Sequence, residues 1–141
     1  MTKTHKYIVA FLGTCLLWGC SKDPEPSPLQ QALTSLTGSG IKVWHLSQYY
    51  VNGTLQQLTG PQSNYTKTYR LNTSFEGGFE DSDGYTGTWT LASITTLSET
   101  INNNPSGNVQ IDYSINAIST ATLDVQYTSG GQVTRLVYHS G

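Results

Sequence analysis

Apolar and polar residues alternate along most of the chain after position 40. The alternation is cleanest in residues 85–91, 109–116 and 121–128, where nearly every second side chain is apolar. A period of two is typical of half-buried antiparallel strands, which turn one face to the core and the other to solvent. Weaker alternation of the same kind covers 41–51, 54–58, 65–71, 73–80, 94–101 and 132–139.

Turn-forming residues separate these segments at short intervals. Asn52-Gly53 is a strong signal for a two-residue hairpin, and residues 81–84, 104–108 and 129–131 are rich in Asp, Asn, Ser and Gly. No helical pattern connects one strand to the next, so the strands are predicted to form an antiparallel up-and-down meander. Such a meander would leave two exposed edges, and closure into a barrel removes both. We therefore predict an all-β fold, a barrel of about eight strands.

A short helix is predicted before the first strand. Ser27 and Pro28 suit the N-cap and the first helical position, and Gly38 suits the C-terminal end. Between them, apolar side chains recur at helical spacing at Leu29, Ala32, Leu33 and Leu36. This helix of about two turns is long enough to cover one end of a barrel.

Residues 1–19 have the pattern of a signal peptide. Two lysines precede an apolar stretch at 7–17, which has the length of a signal-peptide core and is too short to span a bilayer permanently. Cys15 lies in this stretch and would be lost with it. Cys20 then remains as the only cysteine of the mature chain, and no intramolecular disulfide can form.

The segment Leu17-Trp18-Gly19-Cys20 resembles the lipobox of bacterial lipoproteins. In that family the signal peptidase cuts before the cysteine, which is acylated. The resemblance therefore implies lipid attachment at Cys20 and a membrane partner through N-terminal acyl chains. No Asp directly follows Cys20, where it would resemble an inner-membrane retention signal, so the outer membrane is favoured, at its periplasmic face or at the cell surface. The alternative is an ordinary secretory signal.

The rest of the chain divides into a tether and a barrel domain. Residues 20–28 are predicted to be an acylated Cys with a Pro-rich tether, since prolines favour extended geometry, and residues 29–141 to be the barrel. Removal of residues 1–19 leaves five basic and nine acidic residues, which changes the formal net charge from −2 to −4. A nucleic-acid partner is not expected, because phosphate binding needs a basic patch.

The sequence carries few candidates for metal or catalytic chemistry. His45 and His139 each stand alone in a predicted strand, and residues 81–84 contain only part of a calcium loop, so an Asp-rich turn is the better interpretation. Motifs for nucleophilic catalysis, phosphate binding or zinc-dependent hydrolysis are absent from the sequence. We expect no metal, no cofactor and no enzymatic activity, with a spatial pair of carboxylates left open.

The order of features resembles the lipocalin-like domain of many small bacterial lipoproteins. The resemblance rests on Gly40 to Leu46 with its early Trp, on the segments 69–71 and 75–79, and on Gly87-Thr88-Trp89-Thr90-Leu91. It covers roughly residues 38 to 139. It implies an eight-stranded barrel that can hold a small hydrophobic ligand, and it brings no catalytic residues.

Aromatic side chains are the candidate ligand-binding residues. The alternation places most of them on one face of the sheet, and an eight-stranded barrel encloses either a packed interior or one small ligand. Tyr and Trp carry polar tips that can orient a ligand in an otherwise apolar pocket. The candidates are Trp44, Tyr69, Phe79, Trp89, Tyr113 and Tyr127. Plain core packing is the alternative for the same residues.

These observations favour a lipid-anchored, non-enzymatic barrel that binds a small hydrophobic or amphipathic ligand in its interior. The alternative is a surface interaction protein that contacts a protein or a glycan through its loops or outer faces. The direction of the aromatic side chains separates the two hypotheses, because a large exposed apolar patch marks a contact surface.

Overall fold

The computed structural model describes residues 23–141. The predicted signal peptide, the predicted lipobox and Cys20 lie outside the described residues. Residues 23–27 are exposed and have no regular secondary structure, and they lead directly into the first helix.

The predicted N-terminal helix is confirmed as α1 (Pro28–Thr37). The Ser27 hydroxyl accepts a hydrogen bond from the Gln30 amide at 3.2 Å, which caps the first turn. The helix ends at Gly38, whose φ of 60° is strained for residues with a side chain. Its apolar face is buried at Ala32, Leu33 and Leu36.

Nine strands and one further short helix follow in the described part of the chain. The elements are β1 (Ile41–Val51), β2 (Thr54–Gln56), α2 (Gly60–Ser63), β3 (Thr66–Thr73), β4 (Glu76–Asp81), β5 (Thr86–Ser93), β6 (Thr96–Ile101), β7 (Val109–Ile118), β8 (Thr122–Ser129) and β9 (Gln132–Ser140). Every pairing is antiparallel, and the sheet runs in chain order from β3 to β9.

The sheet closes because β1 pairs with both β3 and β9. Eight strands, β1 and β3 to β9, form the barrel. The short strand β2 pairs with the last three residues of β1, Tyr49 to Val51. The predicted all-β meander and its closure are confirmed. The predicted hairpin is also present, because Asn52 and Gly53 both have positive φ, 47° and 80°.

One end of the barrel is closed by α1. The Trp44 indole donates a hydrogen bond from Nε1 to the Leu36 carbonyl at 2.9 Å, and both side chains are fully buried. Lys42 Nζ donates to the carbonyl of Ser35 at 2.8 Å and to that of Thr120 at 2.6 Å. These bonds tie the end of the helix to β1 and to the turn between β7 and β8, so α1 covers this end of the barrel.

A glycine lets the indole of the second buried tryptophan, Trp89, pack directly against the backbone of the barrel wall. Gly77 lies opposite Trp89 in the β4–β5 pairing. The indole Nε1 donates to the carbonyls of Arg70 at 3.1 Å and Gly78 at 2.9 Å. A Cβ at Gly77 would come within 1.8 Å of the Arg70 oxygen and 2.9 Å of the indole nitrogen. The close approach of β3, β4 and the indole therefore needs glycine at this position.

Gly77→Ala is expected to lower the free energy of unfolding by about 1–3 kcal/mol, since the backbone and the indole must shift to admit the methyl group. Gly78→Ala is the matched control, because the nearest atom to its added Cβ is the Gly87 oxygen at 3.7 Å. The control is expected to stay within about 0.5 kcal/mol of the parent chain. Urea unfolding followed by tryptophan fluorescence measures both, and equal losses in the two variants would contradict the steric explanation.

Candidate functional site

A cavity of about 340 Å³ opens at the barrel end opposite α1. Its walls come from strands all around the barrel, and α2 contributes Gln62 at the rim. Seven aromatic side chains line it, together with four aliphatic ones, which are Leu46, Ile101, Ile111 and Leu136. The cavity therefore combines apolar walls with the phenolic hydroxyls of its tyrosines.

An ion pair lies at the bottom of this cavity. Lys67 Nζ, from β3, is 2.7 Å from Glu99 Oε2, from β6. These two strands are not neighbours in the sheet, so the pair reaches across the barrel interior. The side chains are almost completely buried, with relative exposures of 7% for Lys67 and 1% for Glu99.

Two tyrosines complete the polar group around Glu99. The Tyr69 hydroxyl donates a short hydrogen bond to Glu99 Oε1, and the Tyr113 hydroxyl donates to Oε2 at 3.3 Å. We call Lys67, Tyr69, Glu99 and Tyr113 the floor cluster. A charge without partners would be costly at this depth. Both oxygens of Glu99 accept hydrogen bonds, so its charge is compensated.

Burial and charge shift the pKa values of the floor cluster upward. Burial alone would lower the pKa of Lys67, but the attraction of Glu99, with the nearby phenols, outweighs it and holds that pKa well above its usual range. Burial, reinforced by the charge of Glu99, raises the pKa of Tyr69, and burial also raises that of Tyr113. Burial raises the pKa of the neighbouring Tyr138 to about 12. The lysine is therefore an ammonium and the phenols are neutral at physiological pH.

The rim of the cavity is acidic. Asp81 and Asp83 both line it, at the β4–β5 connection. Asp81 accepts hydrogen bonds from the Tyr65 hydroxyl at 2.9 Å and from the amides of Asp83 and Tyr85 at 3.0 and 2.9 Å. This is the Asp-rich turn predicted from the sequence, in which Asp81 Oδ1 accepts from these two backbone amides.

The six aromatic candidates divide into two groups. Phe79, Tyr113 and Tyr127 line the cavity. Trp44, Tyr69 and Trp89 are not among its lining residues; the two indoles donate to backbone carbonyls in the packed part of the barrel, and Tyr69 lies in the floor cluster. Core packing, the alternative left open for these residues, is thus the role that the two tryptophans have in the structure.

Sequence reasoning missed Lys67 and Glu99. A signal for both is present, because Lys67 stands two residues before Tyr69, and Glu99 stands between Leu97 and Ile101. Each charged residue therefore occupies an inward position of its strand. The short helix α2 was also missed, although Thr59 and Gln62 form a capping box that the sequence displays.

Barrel closure brings together two histidines that are 94 positions apart in the sequence. His45 and His139 are cross-strand partners in the β1–β9 pairing, with ring centroids 5.3 Å apart and the rings stacked. Within residues 23–141 no group of three or more His, Cys, Asp or Glu side chains is arranged to hold a metal ion. In the same range, no helix has the length and apolarity needed to cross a membrane.

Among solved structures, this chain is similar to a protein described as a de novo design of a fluorescence-activating beta barrel. The two chains share 13% sequence identity, and the match covers 79% of this chain and 98% of the designed one, with a TM-score of 0.45. No protein-family model matches the sequence, and no curated protein does.

Stability is expected to fall steeply above pH 10. The pKa of Lys67, Tyr69 and Tyr113 is higher in the folded barrel than in the unfolded chain, where it is about 10. Below that pH both states keep these protons and the stabilisation is complete. Above it the unfolded chain releases protons that the barrel retains, so each group removes up to about 1.4 kcal/mol per pH unit.

Urea unfolding between pH 8 and pH 12 measures this loss. Tyr113→Phe removes one of the three protons, so its free energy of unfolding should fall less steeply with pH. The part of the tyrosinate absorbance that Tyr113→Phe removes should rise together with unfolding. Ionisation of the floor tyrosines near pH 10 in a barrel that is still folded would contradict the assignment.

Proposed function

We propose that the protein is a non-enzymatic barrel that binds one small hydrophobic or amphipathic molecule in its cavity. The observation that carries the proposal is the open, aromatic-lined cavity of about 340 Å³ above a packed lower half. Ligand pockets usually measure about 300–1,000 Å³ and combine apolar walls with a few polar groups. This cavity lies at the small end of that range, which favours a compact ligand.

The ligand would be held mainly by burial of its apolar surface. Phe79, Ile111 and Leu136 offer apolar walls on different strands, and each square ångström of apolar surface removed from water contributes about 25 cal/mol. The hydroxyls of Tyr113 and Tyr127 would give orientation rather than most of the affinity. Because the barrel wall is a closed sheet, the cavity is largely formed before the ligand arrives.

The placement of the aromatic side chains supports this proposal over a contact surface. Large hydrophobic side chains are exposed at six positions in the described range, which are Ile41, Val43, Leu55, Tyr85, Ile94 and Val109. Tyr85 is the one aromatic residue among them, and it lies at the cavity mouth. A protein or glycan contact surface would favour a cluster of aromatic anchors. In residues 23–141 the outer faces of the barrel offer no such cluster.

The bonding of the floor cluster supports a binding role rather than catalysis. A general base needs an oxygen or nitrogen that is free to take a proton from the substrate. Both Glu99 oxygens already accept hydrogen bonds, and Lys67 is held as an ammonium. No buried side-chain nitrogen or oxygen in the described part of the chain lacks a partner.

For the location, we propose that Cys20 is acylated and that the barrel is tethered to the outer membrane by residues 20–28. The support is the lipobox resemblance and the exposed, irregular backbone of residues 23–27 before α1. The mature net charge of −4 is consistent with an anchor made by acyl chains, because a polybasic segment would be needed for attraction to anionic lipids.

Filling the cavity is expected to abolish ligand binding. Ile111→Trp places a large side chain in the cavity, since Ile111 lines it. Binding of a compact neutral dye, N-phenyl-1-naphthylamine, to the mature chain, residues 20–141 with Cys20→Ser, should weaken at least tenfold. The loss follows because the indole occupies the volume that the dye needs.

The matched control is Gln110→Trp, on the exposed face of the same strand. It should bind the dye like the parent chain, with melting temperatures recorded for both variants. Equal binding by Ile111→Trp would place the dye outside the barrel. Absence of binding to the parent chain, for this dye and for a cell lipid extract examined by native mass spectrometry, would overturn the proposal.

Cys20→Ser is expected to release the protein from the membrane. In a Gram-negative host the parent chain should enter the detergent phase of a Triton X-114 partition, and the variant should stay in the aqueous phase. Cys15→Ser is the control, because Cys15 lies in the segment that would be removed. Loss of membrane association in both variants, or in neither, would contradict lipid attachment at Cys20.

A further inference from the structure

We propose that the cavity selects a ligand whose inserted end is a neutral hydrogen-bond acceptor, a carbonyl oxygen, which accepts from Lys67. The inference rests on the proposed function and names the ligand class for the same cavity. It depends on the donors that Lys67 leaves unused, on the neutrality of the floor cluster and on the acidic rim.

The Lys67 ammonium has more donors than its protein partners use. An ammonium carries three N–H groups. In residues 23–141 Lys67 donates to one acceptor, Glu99 Oε2. Its other neighbours are aromatic rings, with Nζ 5.1 Å from the centroid of Phe79 and 5.5 Å from that of Tyr113. These contacts leave N–H donors for an oxygen atom in the cavity, which Lys67 lines.

Glu99 is not available to the ligand in the same way. Its two oxygens accept from Lys67, Tyr69 and Tyr113, and its side chain is only 1% exposed, compared with 7% for Lys67. A ligand that enters the cavity therefore meets unused donors on Lys67, whereas the Glu99 oxygens already accept three hydrogen bonds. A cationic amine would face the positive charge of Lys67 at the floor.

The charges of the site also disfavour an anionic ligand. The floor ion pair is balanced within itself, so an added carboxylate would bring an uncompensated charge into a buried site. The lining holds one basic residue, Lys67, and three acidic ones, Glu99, Asp81 and Asp83. An anion must pass the two aspartates at the rim and then approach Glu99. A carbonyl keeps the hydrogen bond to Lys67 without this repulsion.

Three naphthalene probes of similar size test the proposal on the mature chain, residues 20–141 with Cys20→Ser. All carry a 2-dimethylamino group, and position 6 bears a propionyl group, a carboxylate or a propyl group. At pH 7.4 the ketone should bind at least tenfold more tightly than the carboxylate and at least threefold more tightly than the propyl compound. With a ¹³C-labelled ketone, the carbonyl stretch should fall below its frequency in an apolar solvent, because the ammonium donates to it.

The variant must keep the floor neutral, since Lys67→Met alone would leave Glu99 buried without its counter-ion and destabilise the barrel. Lys67→Met combined with Glu99→Gln removes both charges and retains an acceptor for Tyr69. Its affinity for the ketone should fall at least tenfold and the carbonyl shift should vanish, while the propyl compound binds as before. Melting temperatures and circular dichroism verify that the variant is folded.

The outcomes separate this inference from the proposed function. Equal binding of the ketone and the propyl compound, with an unshifted carbonyl stretch, would overturn the carbonyl assignment while the cavity remains a binding site. Tighter binding of the carboxylate would overturn it in favour of an anion site. Failure of all three probes to bind would overturn the proposed function and the inference with it. If the double variant does not fold, the carbonyl stretch in Tyr113→Phe and in Tyr127→Phe decides the assignment: a shift kept in both variants supports Lys67, and a shift lost in either one overturns it.

Discussion

The pairing of β1 with β9 is the constraint on which the rest of the structure depends. Seven residues of β1 have partners in β9, and this contact joins the first barrel strand to the last one. Without it the meander would be an open sheet with two free edges and a single apolar face. Closure gives all inward side chains one shared interior, so Lys67 and Glu99, three strands apart in the sheet order, can meet across it.

The interior has two regions with different physical characters. Below the floor cluster, Leu36, Trp44, Leu91, Leu97 and Leu123 are buried almost completely, and the indole N–H groups satisfy backbone carbonyls. At the floor, an ion pair occupies a position where well-packed apolar residues are often equally stabilising or more so. Stability alone therefore does not account for Lys67 and Glu99, and a role in recognition gives a reason for a charged pair at the bottom of an open cavity.

Local patterns predicted the elements well, and the site less well. Strand alternation, the Ser27 cap and the Asn52-Gly53 turn are properties of neighbouring residues, so the helix, the hairpins and the barrel could be read from the sequence. The floor cluster depends on contacts between non-neighbouring strands, which alternation does not specify. Lys67 and Glu99 also lie in two of the weaker strand patterns, 65–71 and 94–101. In such a pattern a charged residue is interpreted as facing solvent. The stacking of His45 and His139 likewise appears only once the barrel has closed.

The position of α1 has a consequence for the orientation of the molecule on a membrane. The helix covers the closed end, and the tether enters the fold through its first residue. A lipid anchor at Cys20 would hold that end nearest the bilayer and direct the cavity mouth away from it. The ligand would then enter and leave through the surrounding aqueous space, or pass to a partner that faces the cavity mouth. A molecule dissolved in the leaflet that holds the lipid anchor would have to leave that leaflet first.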